Sequence, residues 1–235
     1  MDKEYAKKIL EETRENYNLT AESYTRTRAF ISEDIKSLAD YAQKGDKVLD
    51  SGCASGRFYG VLAGKGIDYL GVDISEELIK IARRNYLGVR FEVANALELP
   101  FPDDSFDKIF SISVIHNIPS YGFRIQYLKE SIRILKPGGQ LVLRVWDFWT
   151  RKDFPLLLLK YTFLKLIGRS KLDFKDVFVP WKNSNGKMLV NRYFHCFTKK
   201  EIERLIKEVG FEISKSWRAG KDPKTNIYLI VQKPL

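Results

Sequence analysis

Histidine, cysteine and methionine are almost missing, with two of each in 235 residues. Cys53 and Cys196 are too few and too far apart for a zinc site or a disulfide framework. Acidic side chains are scarce in the last third. Residues 151–235 hold 8 Asp and Glu against 19 Lys and Arg, whereas residues 1–150 hold 22 against 21. The basic excess therefore lies wholly in the C-terminal third, an asymmetry that points to a polyanion partner. A solvated lysine-rich surface is the plainer alternative. No apolar run is long enough to span a bilayer. The longest, "FPLLLLKYTFLKLIG" (154–168), is broken by two lysines, so no stable membrane insertion is predicted. Its mixture of Lys and Leu also suits a membrane surface. The opening "MDKEYAKKILEETRENY" lacks an apolar h-region, which predicts no signal peptide and a cytoplasmic protein. Repeats and low-complexity tracts are absent.

What is present is a rhythm. Apolar residues make up 44%, enough for a core. Short apolar runs at 46–50, 68–73, 89–94, 106–114 and 139–146 read as strands. Helical patterns cover 4–16, 29–43, 57–64, the segment "SEELIKIARRNY", 123–135 and 198–210. "FEISKSW" and "NIYLIVQ" read as a terminal antiparallel hairpin. The alternation predicts an α/β, Rossmann-like fold with a mainly parallel sheet. A single domain, 1–235, is expected, with a basic insertion at 148–195 before the last helix.

The first strand runs into "VLDSGCASGRF" (48–58). This is not the G-x-G-x-x-G of dinucleotide sites. Asp50, two positions before Gly52, would repel a pyrophosphate and attract an ammonium. Asp73 ends the second strand, where a carboxylate accepts from both ribose hydroxyls. Asn95 ends the third, where its oxygen can accept from an adenine amine. Three acceptors on adjacent strand ends describe S-adenosylmethionine (SAM), a nucleoside with an amino-acid head and no phosphate. Ser51, Ala54, Gly56, Ile74, Ala96 and Ser113 complete the predicted cofactor wall. As ordinary helix caps, Asp50 and Asp73 would need no ligand.

With "LPFPDDSFD" (99–107) and "LKPGG" (135–139) added, residues 46–146 resemble the class I SAM-dependent methyltransferases. Further segments are similar to the tRNA wobble-uridine (5-carboxymethyluridine) carboxyl methyltransferases. These are "YNLTAESYTRTR" (17–28), "FSISVIHNI" (110–118), "LVLRVWD" (141–147), "DVFVPWK" (176–182) and "NRYFHCFTKKEIERL" (191–205). The chain departs from the family at Ala54, Ser55, Asn95, Asn117 and Ser32. The resemblance implies methyl transfer to the carboxylate of 5-carboxymethyluridine in a tRNA anticodon loop. It places Arg28, His116, Arg192 and His195 near the acceptor, with Arg28 on either the substrate or the SAM carboxylate. Trp146, Trp181 and Tyr193 become candidates to stack on the base. It also implies a small zinc-binding methyltransferase activator protein, adding a strand beside the third strand at 86–94. The alternative within the same core is a SAM-dependent methyltransferase of a small apolar molecule such as a quinone or sterol. A SAM-fold protein that has lost its chemistry is a further reading.

Overall fold

The computed structural model describes residues 1–28, 30–152, 154–182, 187–220 and 225–235. Five parallel strands form the centre: β1 (Lys47–Ser51), β2 (Asp68–Asp73), β3 (Arg90–Val93), β4 (Phe106–Ile112) and β5 (Leu135–Trp146). Two more come from the expected hairpin, β8 (Glu212–Ala219) and β9 (Asn226–Gln232). The sheet order is β3-β2-β1-β4-β5-β9-β8, and β9 runs antiparallel to both of its neighbours, β5 and β8. Successive residues of a strand face opposite layers. Val48 thus packs with Leu38, Leu62 and Ile79 on one side, and Leu49 with Tyr127, Leu128 and Leu205 on the other. Burial on both faces explains why these strands read as short unbroken apolar runs.

Helices cover the two faces. α4 (Glu76–Asn85) is capped by the Ser75 hydroxyl, which accepts from Leu78 N–H at 3.2 Å. α5 (Tyr121–Ile134) and α7 (Lys199–Glu208) begin in the same way at Ser120 and Thr198. Several expected boundaries move. α1 runs from Lys3 to Thr27, well past residue 16. Its second half is held because Tyr17, Ala21 and Tyr24, spaced i, i+4, i+7, pack on Leu78 and Ile81 of α4. The helix expected at 29–43 is a single turn, α2 (Glu33–Lys36), followed by a 3₁₀ stretch, Ser37–Tyr41. The helix expected at 57–64 is one turn, α3 (Tyr59–Leu62). "KPGG" lies inside β5 as an irregularity against β4.

Residues 148–195 build outside the sheet. α6 (Phe154–Leu166) is followed by β6 (Asp176–Lys182) and β7 (Met188–His195), an antiparallel pair forming its own small sheet. The inner face of α6 joins Phe148, Val177 and Phe194 in a separate apolar cluster. α1 closes over the pair through Ile9, which packs with Leu172 and Tyr193.

Candidate active site

The carboxyl ends of β1, β2 and β4 open into a cleft roofed by α1, with Leu10, Thr13, Tyr17 and Tyr24 on its wall. It holds about 770 Å³ of unfilled space, part of it open to solvent. Of the predicted cofactor residues, Gly52, Ala54, Asp73, Ile74, Asn95, Ala96 and Ser113 line it. Gly52 sits at φ +78°, and a Cβ there would run into Val114, so only glycine keeps the loop this close. Ala54 takes a left-handed φ of 51° and donates its N–H to Asp73 Oδ2 at 2.9 Å. Asp73 Oδ1 accepts from Ser75 N–H at 2.9 Å. A carboxylate has about four lone-pair sites, so both oxygens retain capacity for ligand hydroxyls. Burial raises the Asp73 carboxyl above the usual range, against the backbone donors of Ser75, Ala54 and Ile74. Asn95 Oδ1 accepts from Leu97 N–H at 3.0 Å, so the oxygen expected to face a ligand amine is already engaged locally.

Asp50, Ser51 and Gly56 are absent from the cleft wall. Asp50 is 1% exposed, and its Oδ2 accepts from the Tyr69 hydroxyl at 2.9 Å beneath the loop. Burial pushes this carboxyl up to about 7; the Tyr69 hydrogen bond opposes the rise, and the charge of Asp73 adds to it. Ser51 is buried with Asp50 at the end of β1. Gly56, at φ +77°, allows the loop to pass Phe91, whose Cζ would lie 2.7 Å from an added Cβ. It serves packing on the sheet.

Beside the cleft, arginines alternate with aromatic rings. Arg151 lies 4.4 Å over Trp146. Trp146 stacks on Phe194 at 5.4 Å and 18°. Arg192 lies 5.1 Å from Phe194 and 4.3 Å from Trp181. Arg28 follows, 5.3 Å from Trp181 and 5.6 Å from Tyr24. Tyr24 meets Tyr17 edge-on at 5.5 Å, and both tyrosines belong to the cleft. Of the described carboxylates nearby, Asp34 lies 3.7 Å from Arg144 and Asp147 lies 2.8 Å from Arg218, and the Asp147 charge also bears on Arg151. Among the described residues, no ion pair within 4 Å neutralises Arg28, Arg151 or Arg192, and the Nε atoms of Arg151 and Arg192 are buried without a hydrogen-bond partner. Burial, then the charges of Arg144 and Arg28, lower the Arg151 pKa. Burial also lowers that of Arg192; the neighbouring Tyr17 opposes this and Arg28 adds to it. An arginine guanidinium stays charged in a protein.

The two histidines depart from expectation. His116 is 1% exposed and packed among Trp146, Phe148 and Phe194 at 5.3–5.8 Å. Its Nδ1 accepts from Trp146 N–H at 3.4 Å. Burial, then the charges of Arg144, Arg151 and Arg192, hold it well below the usual histidine pKa, so it is neutral at pH 7 and supports the rings from behind. His195 lies outside the cleft wall. Its Nδ1 meets Asp176 Oδ1 at 2.6 Å, and its Nε2 meets Glu201 Oε1 at 2.9 Å. It clamps the β6–β7 pair to α7. Tyr193 is buried between α1 and α5, with its hydroxyl accepting from Arg124 at 3.3 Å, which leaves Trp181 as the more open ring. Tyr17, Tyr24 and Arg151 are further residues of the site. The i, i+7 spacing of the two tyrosines was their available signal; Arg151 offered none.

The fold and the cleft define a Rossmann-like α/β protein that takes a ligand at the carboxyl edge of its sheet. A family model described as a methyltransferase domain matches residues 49–143. A protein of Encephalitozoon cuniculi assigned as a methyltransferase is 32% identical over 177 residues, 75% of each chain. The tRNA (carboxymethyluridine(34)-5-O)-methyltransferase alkbh8 of Xenopus tropicalis is 33% identical over 252 residues, 89% of this chain and 38% of its own. A demethylmenaquinone methyltransferase of Tropheryma whipplei is 34% identical over 145 residues, 56% and 58% of the two chains. A SAM-dependent methyltransferase of Methanosarcina mazei superposes with a TM-score of 0.71 at 28% identity, covering 85% of this chain and 97% of the other. The chain belongs to the SAM-dependent methyltransferases, and SAM is its cofactor. It spans about a third of the length of the curated tRNA methyltransferases it matches.

Proposed function

We propose that this enzyme methylates the carboxylate of 5-carboxymethyluridine at the wobble position of tRNA, giving the methyl ester. The observation that supports this over an apolar acceptor is the row of stacked arginines beside the cleft, of which Arg28 and Arg192 make no ion pair with a carboxylate among the described residues. A quinone has no anion to offer such a row; a carboxymethyl group and the adjoining phosphates have several.

Bound SAM supplies an electrophilic methyl group on a sulfonium. The acceptor carboxylate, with a pKa of about 4, is already ionised at neutral pH, so no residue has to remove a proton. A neutral, enclosed His116 agrees with that. Arg28 or Arg192 would orient the carboxylate, and the apolar walls would exclude water, so that catalysis rests on alignment. Trp181, between the two guanidiniums, is the ring proposed to stack on the splayed-out base. The reading extends to the small zinc-binding activator, for which β3 offers the site. β3 is a four-residue edge strand with Val93 exposed, and an added strand would cover it.

The test is methyl transfer from labelled SAM to bulk tRNA with nucleoside analysis before and after mild alkali. The expected label is released by alkali, as a methyl ester is. Label that survives alkali places the methyl on a ring atom, and label that enters only an apolar small-molecule acceptor supports the quinone-type alternative. Either result sinks the proposal.

A further inference from the structure

The insertion carries an outward face that neither the cleft nor the arginine row uses. Along α6, Leu156, Leu159, Phe163 and Leu166 are 74%, 66%, 58% and 71% exposed. Their spacing of i, i+3, i+7, i+10 puts all four on one stripe. The opposite face is also apolar, but Leu158 and its neighbours bury it against Phe148 and Phe194. Ile167 prolongs the stripe, and Trp149 is exposed in the turn leading into the helix. Lys152, Lys160 and Arg169 stand exposed around it. Residues 151–190 hold nine Lys and Arg against three Asp.

We propose that the outer face of α6 docks on an anionic lipid surface. Three occupants fit less well. RNA phosphates require cations and gain nothing from four exposed leucine and phenylalanine side chains. A second copy would bring two strongly basic insertions together. A folded protein partner would have to present a groove to a projecting ridge, whereas a fluid lipid layer admits a ridge without one. The helix is too short to span. Thirteen residues rise about 20 Å against a hydrocarbon core of about 30 Å, and no helix among the described residues is long and apolar enough to cross a membrane. It would lie in the interface plane with its stripe among the acyl chains and its lysines reaching back to the headgroups. The inner face of α6 packs against Phe194, the ring stacked between Trp146 and Arg192. A docked α6 would thus sit one layer from the arginine row. The inference stands apart from the tRNA reading, since it uses no residue assigned to cofactor or acceptor.

The experiment is flotation of the purified chain with vesicles of phosphatidylcholine, alone or mixed with phosphatidylglycerol, at physiological salt. The chain is expected to float with the mixed vesicles and much less with phosphatidylcholine alone. Leu159→Asp with Phe163→Asp should reduce flotation by at least about tenfold, while the melting temperature and the affinities for SAM and tRNA stay unchanged. Leu156→Ser with Phe163→Ser, a milder pair, should act in the same direction. No flotation with mixed vesicles overturns the proposal, as does equal flotation of both variants and the parent. It also fails if sedimentation shows a dimer that the variants dissolve, or if the variants lose tRNA affinity and keep their flotation.

Discussion

Asp50 is a carboxyl whose environment suits its neutral form. Burial holds it up to about 7 in the folded chain, against about 4 when unfolded. Between these values the unfolded chain releases a proton that the folded chain keeps, so stability falls as pH rises through the window and levels off above the folded pKa. A gap of this size corresponds to about 4 kcal/mol in all, of which about 3 kcal/mol falls between pH 5 and pH 8. Asp50→Asn should flatten that loss. Urea midpoints of parent and variant across the range decide the matter, and parallel curves would remove Asp50 as the cause. The residue type and its place before the glycine were legible in the sequence. That it turns to Tyr69 rather than to the cleft was not, because Tyr69 lies on the neighbouring strand and only the β1–β2 register brings it alongside. The same holds for His116: the sequence marked it at a strand end, and only packing shows the rings around it.

At the scale of elements, the sequence revealed the strands of the sheet far better than the roof of the site. A strand buried on both faces is a local apolar run. The arginine row is assembled from the end of α1, β5, the turn after β5, β6 and β7, and α1 lies more than a hundred residues from the rest. β6 is also hidden in the sequence by Pro180, which reads against a strand; among the described residues the β6–β7 pair has no third strand, and it tolerates the proline. The length of α1 is hidden in the sequence because the motif at 17–28 masks its helical face. That half of α1 is fastened by Asn18, whose Oδ1 accepts from Ser75 Oγ at 2.7 Å and from Glu77 N–H at 3.2 Å. Asn18→Ala should lower stability by about 1–2 kcal/mol. Since α1 roofs the cleft, it should weaken SAM binding as well. Thermal melts and calorimetry measure the two effects together. A stability loss with unchanged SAM affinity would show that the roof does not press on the cofactor.

For the molecule as a whole, charge is divided between two regions. The first 150 residues are nearly neutral and build most of the cleft; the remainder carries the excess of positive charge. If the acceptor is tRNA, affinity should fall steeply with salt as counterions return to the phosphates. Arg26 and Lys182 are exposed and lie close in the chain to Arg28 and Trp181 of the arginine row. Reversing both to Glu should lower the salt slope by about 2 and leave SAM affinity intact. Filter binding over a salt series reads this directly, and an unchanged slope would move the phosphate path elsewhere. The roof helix has a consequence for timing. α1 is tied to α4 through Asn18 and to the β6–β7 pair through Asn16, whose side chain donates to the Asn191 carbonyl at 2.9 Å. With SAM proposed beneath that helix, these two ties bear on how readily a spent cofactor leaves between turnovers.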